Sequence, residues 1–351
     1  MKRISTPRFK VALFLMLALI ILAALLRLKH RHFELTRTLG AHSATVTALV
    51  FIPNAAILAS ASGDVIGGST KRFGDRIGEI MIWDLQDGTC KHKLADTVFG
   101  VNDLALSSDS RLLAAACGDG FVRLWSTDNW SEVSAIRACA SPVFAVTFAP
   151  NADIIAAGGG LPLLPNAGKL GLYDARTFQE IGELGDNALC IKRLQFSPDG
   201  TMLISGGTRA YTQGEVVCWR VESKEVIWPV SVPNGITDVT FSPDSDNIAM
   251  AYQERFVEVR PLDTTRISMS TDAVADQLIS VTYSPDSRFL ACGGWSGEVY
   301  LWRTLDFGLH VNWNVQEGPV YTLRFSPDGK MLATGGFDKI VRLWNVRQTS
   351  K

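Results

Sequence analysis

Apolar and polar positions alternate most cleanly near the end of the chain, where Glu317 to Asn345 holds three short runs, Val320 to Phe325, Met331 to Thr334 and Ile340 to Trp344. Period-two alternation bounded by turn residues predicts half-buried strands. The first turn reads Ser326-Pro327-Asp328-Gly329, with proline presetting φ at the second position and glycine at the fourth, as a type I turn prefers. Three strands cannot bury both faces of their own sheet, so copies of the unit must stack.

The copies are present. The turn recurs as Ile52-Pro53-Asn54, Ser107-Ser108-Asp109, Ala149-Pro150-Asn151, Ser197-Pro198-Asp199, Ser242-Pro243-Asp244, Ser284-Pro285-Asp286 and Ser326-Pro327-Asp328. A third-strand anchor follows each one, at Trp83, Trp125, Tyr173, Trp219, Val259, Trp302 and Trp344, 40 to 48 residues apart. That is the repeat length of a four-stranded propeller blade. At these residues the chain resembles the WD-repeat β-propeller family, over about Phe33 to Arg347. The resemblance implies an all-β fold: a seven-bladed β-propeller of four-stranded antiparallel blades.

Two features take their meaning from the resemblance. Phe33 to Leu39 alternates ahead of the first complete repeat, while Val346 to Lys351 is too short and polar for a fourth strand after Trp344. In the family the N-terminal strand typically serves as outer strand of the last blade, so residues 33–39 are expected to close the ring of a 33–347 propeller, with 348–351 a tail. Blade one comes nearest the family pattern, with Ala41-His42 and the intact pair Trp83-Asp84. By resemblance His42, Ser60, Trp83 and either Asp64 or Asp75 form a hydrogen-bonded structural network. Blade seven keeps Thr334, Asp338 and Trp344. The positions matching His42 elsewhere are Thr97, Cys139, Asn187, Val232, Val274 and Gln316, so the network is expected to be partial or absent there. Blade five, with Val259-Arg260, departs furthest.

Ahead of the repeats the pattern changes. Residues 1–10 carry four positive charges, and Val11 to Leu26 runs sixteen residues without a polar side chain. As a helix this segment spans about 24 Å, short of a hydrocarbon core of roughly 30 Å, but Lys10 and Arg27 can snorkel from its ends. A cleaved signal peptide shares the charged start and apolar middle, yet no small-x-small site follows, where Leu25-Leu26-Arg27-Leu28-Lys29 stands. A buried helix is a third reading. The expectation is a single-pass transmembrane anchor at 11–26, followed by a linker at 27–32. Lys and Arg are equally numerous on the two sides. A short tail with four charges is hard to translocate, which favours a cytoplasmic N-terminus and an outside propeller.

Composition removes several function classes. The formal net charge is −1, with both signs mixed along the repeats, so no basic stripe for nucleic acid is visible. The six cysteines contain no C-x-x-C and several lie in strand-like runs; they read as buried thiols, which suits a reducing compartment and counts against an outside propeller. His30-x-His32 lacks a third ligand, so no metal is expected. No cofactor fingerprint, G-x-S-x-G or H-E-x-x-H occurs, and Gly67-Gly68-Ser69 lacks Walker spacing.

The candidate site lies in loops. Between second and third strands, blade one inserts Val65 to Ile77, blade three Leu161 to Gly168 and blade four Thr208 to Gln213. In this fold those loops share one face, conventionally the top, and loops on a rigid scaffold collect binding residues. Arg72, Arg76 and Arg209 are either solvated charges or partner contacts. Phe73, Leu161, Leu163, Leu164 and Tyr211 either fold the loops back or form an apolar rim for a protein, and Trp295, in the turn Gly294-Trp295-Ser296, has no evident core role. Asp103, Arg193 and Asp238 fall at the third position of inner strands and can approach the channel; pairing with one another or with water is expected over acid–base work. The leading reading is a membrane-tethered, non-catalytic protein-interaction scaffold. The alternative is a propeller that binds a small ligand or sugar, with or without hydrolysis, at the channel mouth.

Overall fold

The structure, a computed structural model, describes residues 33–63, 78–97, 100–151, 153–161, 168–185, 190–209, 213–232, 235–252, 254–262 and 268–346. They form seven four-stranded antiparallel sheets. Six sheets hold four strands consecutive in sequence. In the seventh, the strand Phe33–Ala41 lies outside Ile340–Val346 and completes a sheet whose other members are Met331–Gly335 and Thr322–Phe325. Its register runs from Phe33 opposite Val346 to Ala41 opposite Ile340. The closing strand therefore continues two residues past the expected end at Leu39, because the ladder persists until the partner strand enters its turn. Phe33 enters at the end of the blade that holds the Ser326–Gly329 turn, which is the bottom face.

Each blade face is apolar and each is covered by a neighbour. One buried cluster joins Ala59, Ala61 and Ile80 of blade one to Leu104 and Leu113 of blade two. Equivalent clusters fill the next five interfaces, and the last joins Leu343 of blade seven to Val46 and Leu58 of blade one. Small residues in the second strands, such as Ala114, Ala115 and Ala116, are wholly buried; their size lets adjacent sheets pack face to face. Phe33 is an interface residue too. It stacks on Trp313 of blade six at a centroid distance of 4.1 Å, while Trp313 meets Trp344 of blade seven edge-on.

The repeated turn is held by its own side chains. Ser326 Oγ donates to Asp328 Oδ1 at 2.6 Å and accepts from Met331 N at 2.9 Å, while Asp328 Oδ1 accepts from Lys330 N. The same bonds recur at Ser107, Ser197, Ser242 and Ser284. The fourth turn residue has positive φ, 68° at Gly329 and 73° at Gly200, a conformation glycine adopts without strain.

Two expectations are corrected. The insertion in blade four is not a loop throughout: its second and third strands, Met202–Arg209 and Gln213–Arg220, extend as a paired hairpin to Arg209 opposite Gln213. Cys90 is exposed, since it opens an outer strand with one face toward solvent, whereas the other five cysteines are buried free thiols. The expected anchor at 11–26, with the tail and linker at 1–10 and 27–32 and the C-terminal tail at 348–351, lies outside the described residues. Among the described residues no helix is long and apolar enough to cross a membrane.

Candidate functional site

In blade one, Trp83 Nε1 donates to Ser60 Oγ at 2.7 Å, and His42 Nε2 lies 2.6 Å from the same oxygen. Asp64 and Asp75 lie outside the described residues. The acid placed against the histidine is Glu79, with Oε2 3.6 Å from His42 Nδ1 and Oε1 3.6 Å from Lys93 Nζ. At 3.6 Å the His42–Glu79 contact is electrostatic, since a hydrogen bond requires a closer approach. Glu79 was missed in the sequence, although a charged residue immediately before Ile80-Met81-Ile82-Trp83, on a strand buried on both faces, was a signal. Serine, histidine and acid in series have the outline of a catalytic triad. Ser60 and the His42 side chain are, however, wholly buried, so no substrate can reach the hydroxyl, and the role is structural. Burial lowers the His42 pKa to about 4, against the pull of Glu79, so the ring is neutral at pH 7.

The network thins around the ring. Ser205 accepts from Trp219 Nε1 and Thr334 from Trp344 Nε1, each at 3.0 Å. In blade seven Asp338 does not extend the network; it accepts from Arg342 at 2.6 Å and from Ile340 N. Gln316, at the position matching His42, donates through Nε2 to Pro319 O at 2.7 Å. Blade six has Cys292 where these blades have Ser or Thr, and Trp302 Nε1 is buried without a partner among the described residues.

Of the residues expected on the top face, Arg72, Phe73, Arg76, Leu163, Leu164 and Tyr211 lie outside the described residues. Arg209 ends the second strand of blade four, and Leu161 is half-buried. Trp295 is 56% exposed. Its turn is rigidly held: Trp295 N donates to Gln277 O, Ser296 N and Oγ donate to Asp276, and Gly297 has φ of 92°. A Cβ at Gly297 would come 2.0 Å from Gln316 O. The equivalent residue in blade seven is Phe337, 58% exposed, whose N donates to Pro319 O at 3.0 Å and whose ring lies over Gly318. Sequence reasoning passed over Phe337, although Gly294-Trp295 and Gly336-Phe337 stand in the same register. Adjacent blades thus present two aromatic rings on tight turns of one face.

The channel brings together Asp103, Arg193 and Asp238, and adds Arg324, which was not anticipated. They line a cavity of about 270 Å³ to which all seven inner strands contribute. Asp103 accepts from Leu104 N at 2.9 Å and from Val146 N of the next blade at 3.2 Å. Asp238 accepts from Val239 N at 3.0 Å, from Arg193 Nε at 3.1 Å and from Val281 N of the next blade at 2.9 Å. Each carboxylate therefore ties its inner strand to its neighbour, as do the bonds from Thr47 to Val101 O and from Asn102 to Val143 O, both 2.7 Å. Burial raises the Asp103 pKa to about 6, partly opposed by Arg193 and Arg324. Among the described residues no group of three or more His, Cys, Asp or Glu could hold a metal ion.

Residues 33–64, 88–126, 271–303 and 310–345 match the model of the WD domain, G-beta repeat. The matches fall in blades one, two, six and seven. Blades three to five, with Tyr173 and Val259 among their anchors, lie outside them but keep the four-stranded sheet. Among curated proteins, the chain is similar to eukaryotic translation initiation factor 3 subunit I of Nematostella vectensis, 27% identical over 148 residues, 40% of this chain and 46% of that protein. The same subunit of Bombyx mori is 26% identical over 148 residues, 40% and 45% of the two chains. WD repeat-containing protein 90 of Xenopus tropicalis is 36% identical over 123 residues, 34% of this chain and 6% of that protein. The chain thus spans less than half the length of the initiation-factor relatives it matches. Fold and matches together define the class: a seven-bladed β-propeller carrying WD40 repeats.

Proposed function

We propose that this propeller is a non-catalytic protein-interaction scaffold whose top face receives the partner. The observation that carries the reading is the pair Trp295 and Phe337, each more than half exposed on a turn pinned by backbone hydrogen bonds. Aromatic rings held rigidly at a surface lose little entropy on contact and are the residue types that dominate interface energies. Similarity to a protein named as a subunit of a larger factor supports an assembly role. Residues 11–26 tether the propeller to a membrane, with the basic tail in the cytoplasm and the propeller outside. Entry of Phe33 at the bottom edge, after a six-residue linker of at most about 20 Å, supports an orientation with that face toward the bilayer and the top face away from it.

A hydrolytic role finds no support in the channel. The oxygens of Asp103 and Asp238 are engaged by backbone amides and Arg193, leaving neither carboxylate as a free acid–base pair member.

Photo-crosslinking amino acids placed singly at Trp295, Phe337 or the bottom-face Leu305, 93% exposed, in the full-length chain test the scaffold reading. The expected result is one partner crosslinked from both top positions and not from Leu305. Crosslinks from Leu305 alone would place the interface on the other face. Protease protection of the propeller in sealed vesicles tests the sidedness, and digestion from the cytoplasmic side would reverse it.

A further inference from the structure

Midway along the channel the inner strands contribute one residue each, two positions on from the register of Asp103, Arg193 and Asp238. Six of these, Ala105, Thr147, Gln195, Thr240, Thr282 and Arg324, line the cavity together. Arg324 uses one guanidinium nitrogen on Leu323 O at 3.0 Å, and among the described residues no carboxylate forms a salt bridge with it. Gln195 spends its carbonyl oxygen on Phe241 N at 2.7 Å, which leaves its NH₂ as donor. The Thr147 hydroxyl has no protein partner among the described residues, and that of Thr282 reaches only Tyr283 O at 3.4 Å. The acceptors nearby, Asp103 and Asp238, sit two residues earlier on their strands and are already engaged by amides and by Arg193. What remains at this depth is the Gln195 NH₂, the Thr147 hydroxyl and an Arg324 guanidinium that forms no salt bridge among the described residues.

We propose that this ring is a binding site for a small oxyanion of the sulfate or phosphate class, with Arg324 as its charged anchor and Thr147, Thr282 and Gln195 as neutral donors. An anion there restores the balance of donors and acceptors, and guanidinium is the cation best shaped for a tetrahedral oxyanion. The cavity volume accommodates such an ion with a few further heavy atoms. The four charges facing the site, Asp103, Asp238, Arg193 and Arg324, sum to zero when both carboxylates are ionised and to +1 when Asp103 is neutral. Affinity should therefore rise as pH falls past about 6. The proposal is independent of the scaffold reading, since it concerns the channel and not the top-face turns.

Calorimetric titration of the full-length chain with sulfate tests it, at constant ionic strength set with chloride; sulfate stays a dianion across the range, so only the protein titrates. Saturable one-site binding is expected, several-fold tighter at pH 5.5 than at pH 7.5, at least tenfold weaker in Arg324→Met and several-fold weaker in the near-isosteric Thr147→Val. Absence of saturable binding, or equal binding by wild type and Thr147→Val, would overturn the site even if Arg324→Met fails to fold. Competition against sulfate by inorganic phosphate and by glycerol phosphate separates the sources. Equal competition assigns a free ion, stronger competition by the ester assigns a phosphorylated metabolite, and failure of both overturns the oxyanion class.

Discussion

Blade six offers a test of how its neighbours are held together. Leu58 opposite Trp83, Leu203 opposite Trp219, Leu290 opposite Trp302 and Leu332 opposite Trp344 are the same register pair, which blade two repeats with Leu113 opposite Trp125 and Ala115 two residues on. Two residues beyond the first four leucines stand Ser60, Ser205, Cys292 and Thr334. Three of the tryptophans donate to the hydroxyl at 2.7 to 3.0 Å, and Trp302, wholly buried, has no acceptor among the described residues. A buried unpaired N–H costs about 1–3 kcal/mol. Cys292→Ser supplies the missing acceptor, but exchanges a small apolar thiol for a hydroxyl whose burial returns about 1 kcal/mol of the gain. The expected net effect is a stabilisation of about 1 kcal/mol, or roughly 2 °C in Tm for a domain of this size. The mirror change, Ser60→Cys, removes the hydroxyl that accepts from Trp83 and bonds to His42, and should cost about 2–3 kcal/mol. Scanning calorimetry of the two variants and wild type in one buffer decides. A Cys292→Ser protein no more stable than wild type, alongside a harmless Ser60→Cys, would refute the view that this hydrogen bond matters to blade packing.

Phe33→Ala should lower stability by about 3–5 kcal/mol, the usual cost of truncating a buried phenylalanine, and should alter the near-ultraviolet circular dichroism of Trp313, whose ring it stacks upon. His42 titrates near pH 4 in the fold against 6.5 when free, so the unfolded chain binds the extra proton and stability falls as pH drops from 6.5 to 4, by about 3 kcal/mol in all. Asp103 acts oppositely: its folded pKa of about 6 lies above 3.8, so its contribution is fully present below 3.8 and lost as pH rises through 6. A His42→Asn variant should therefore show a flatter acid limb in stability measured by urea titration, and an unchanged slope would contradict the burial of a neutral ring. Gly297→Ala should destabilise by at least 1 kcal/mol, since its φ is 92° and a Cβ there meets Gln316 O; thermal melts would show it.

The fold was legible in the sequence because its elements are local. Alternation marks each strand, and Ser-Pro-Asp encodes a turn that hydrogen-bonds to itself within five residues, so neither depends on a distant partner. Ring closure was legible as well, since Phe33 to Leu39 had no mate and blade seven lacked an outer strand. The continuation to Ala41 and the paired hairpin at Arg209–Gln213 were not, because strand ends are set by how far the partner strand runs. The site was less legible. Spacing brought Asp103, Arg193 and Asp238 to the inner strands, but whether a carboxylate there is free or consumed depends on amides of the next blade, Val146 N and Val281 N, more than forty residues away. Glu79 entered the His42 network because strand pairing turns it into the core beside Ser62, and Phe337 matches Trp295 only once the two turns are laid on one face. Local pattern thus determined the repeat, the turns and the blade count. Tertiary packing decided which polar groups were spent on holding the blades together and which were not, because the amides that engage them belong to the next blade.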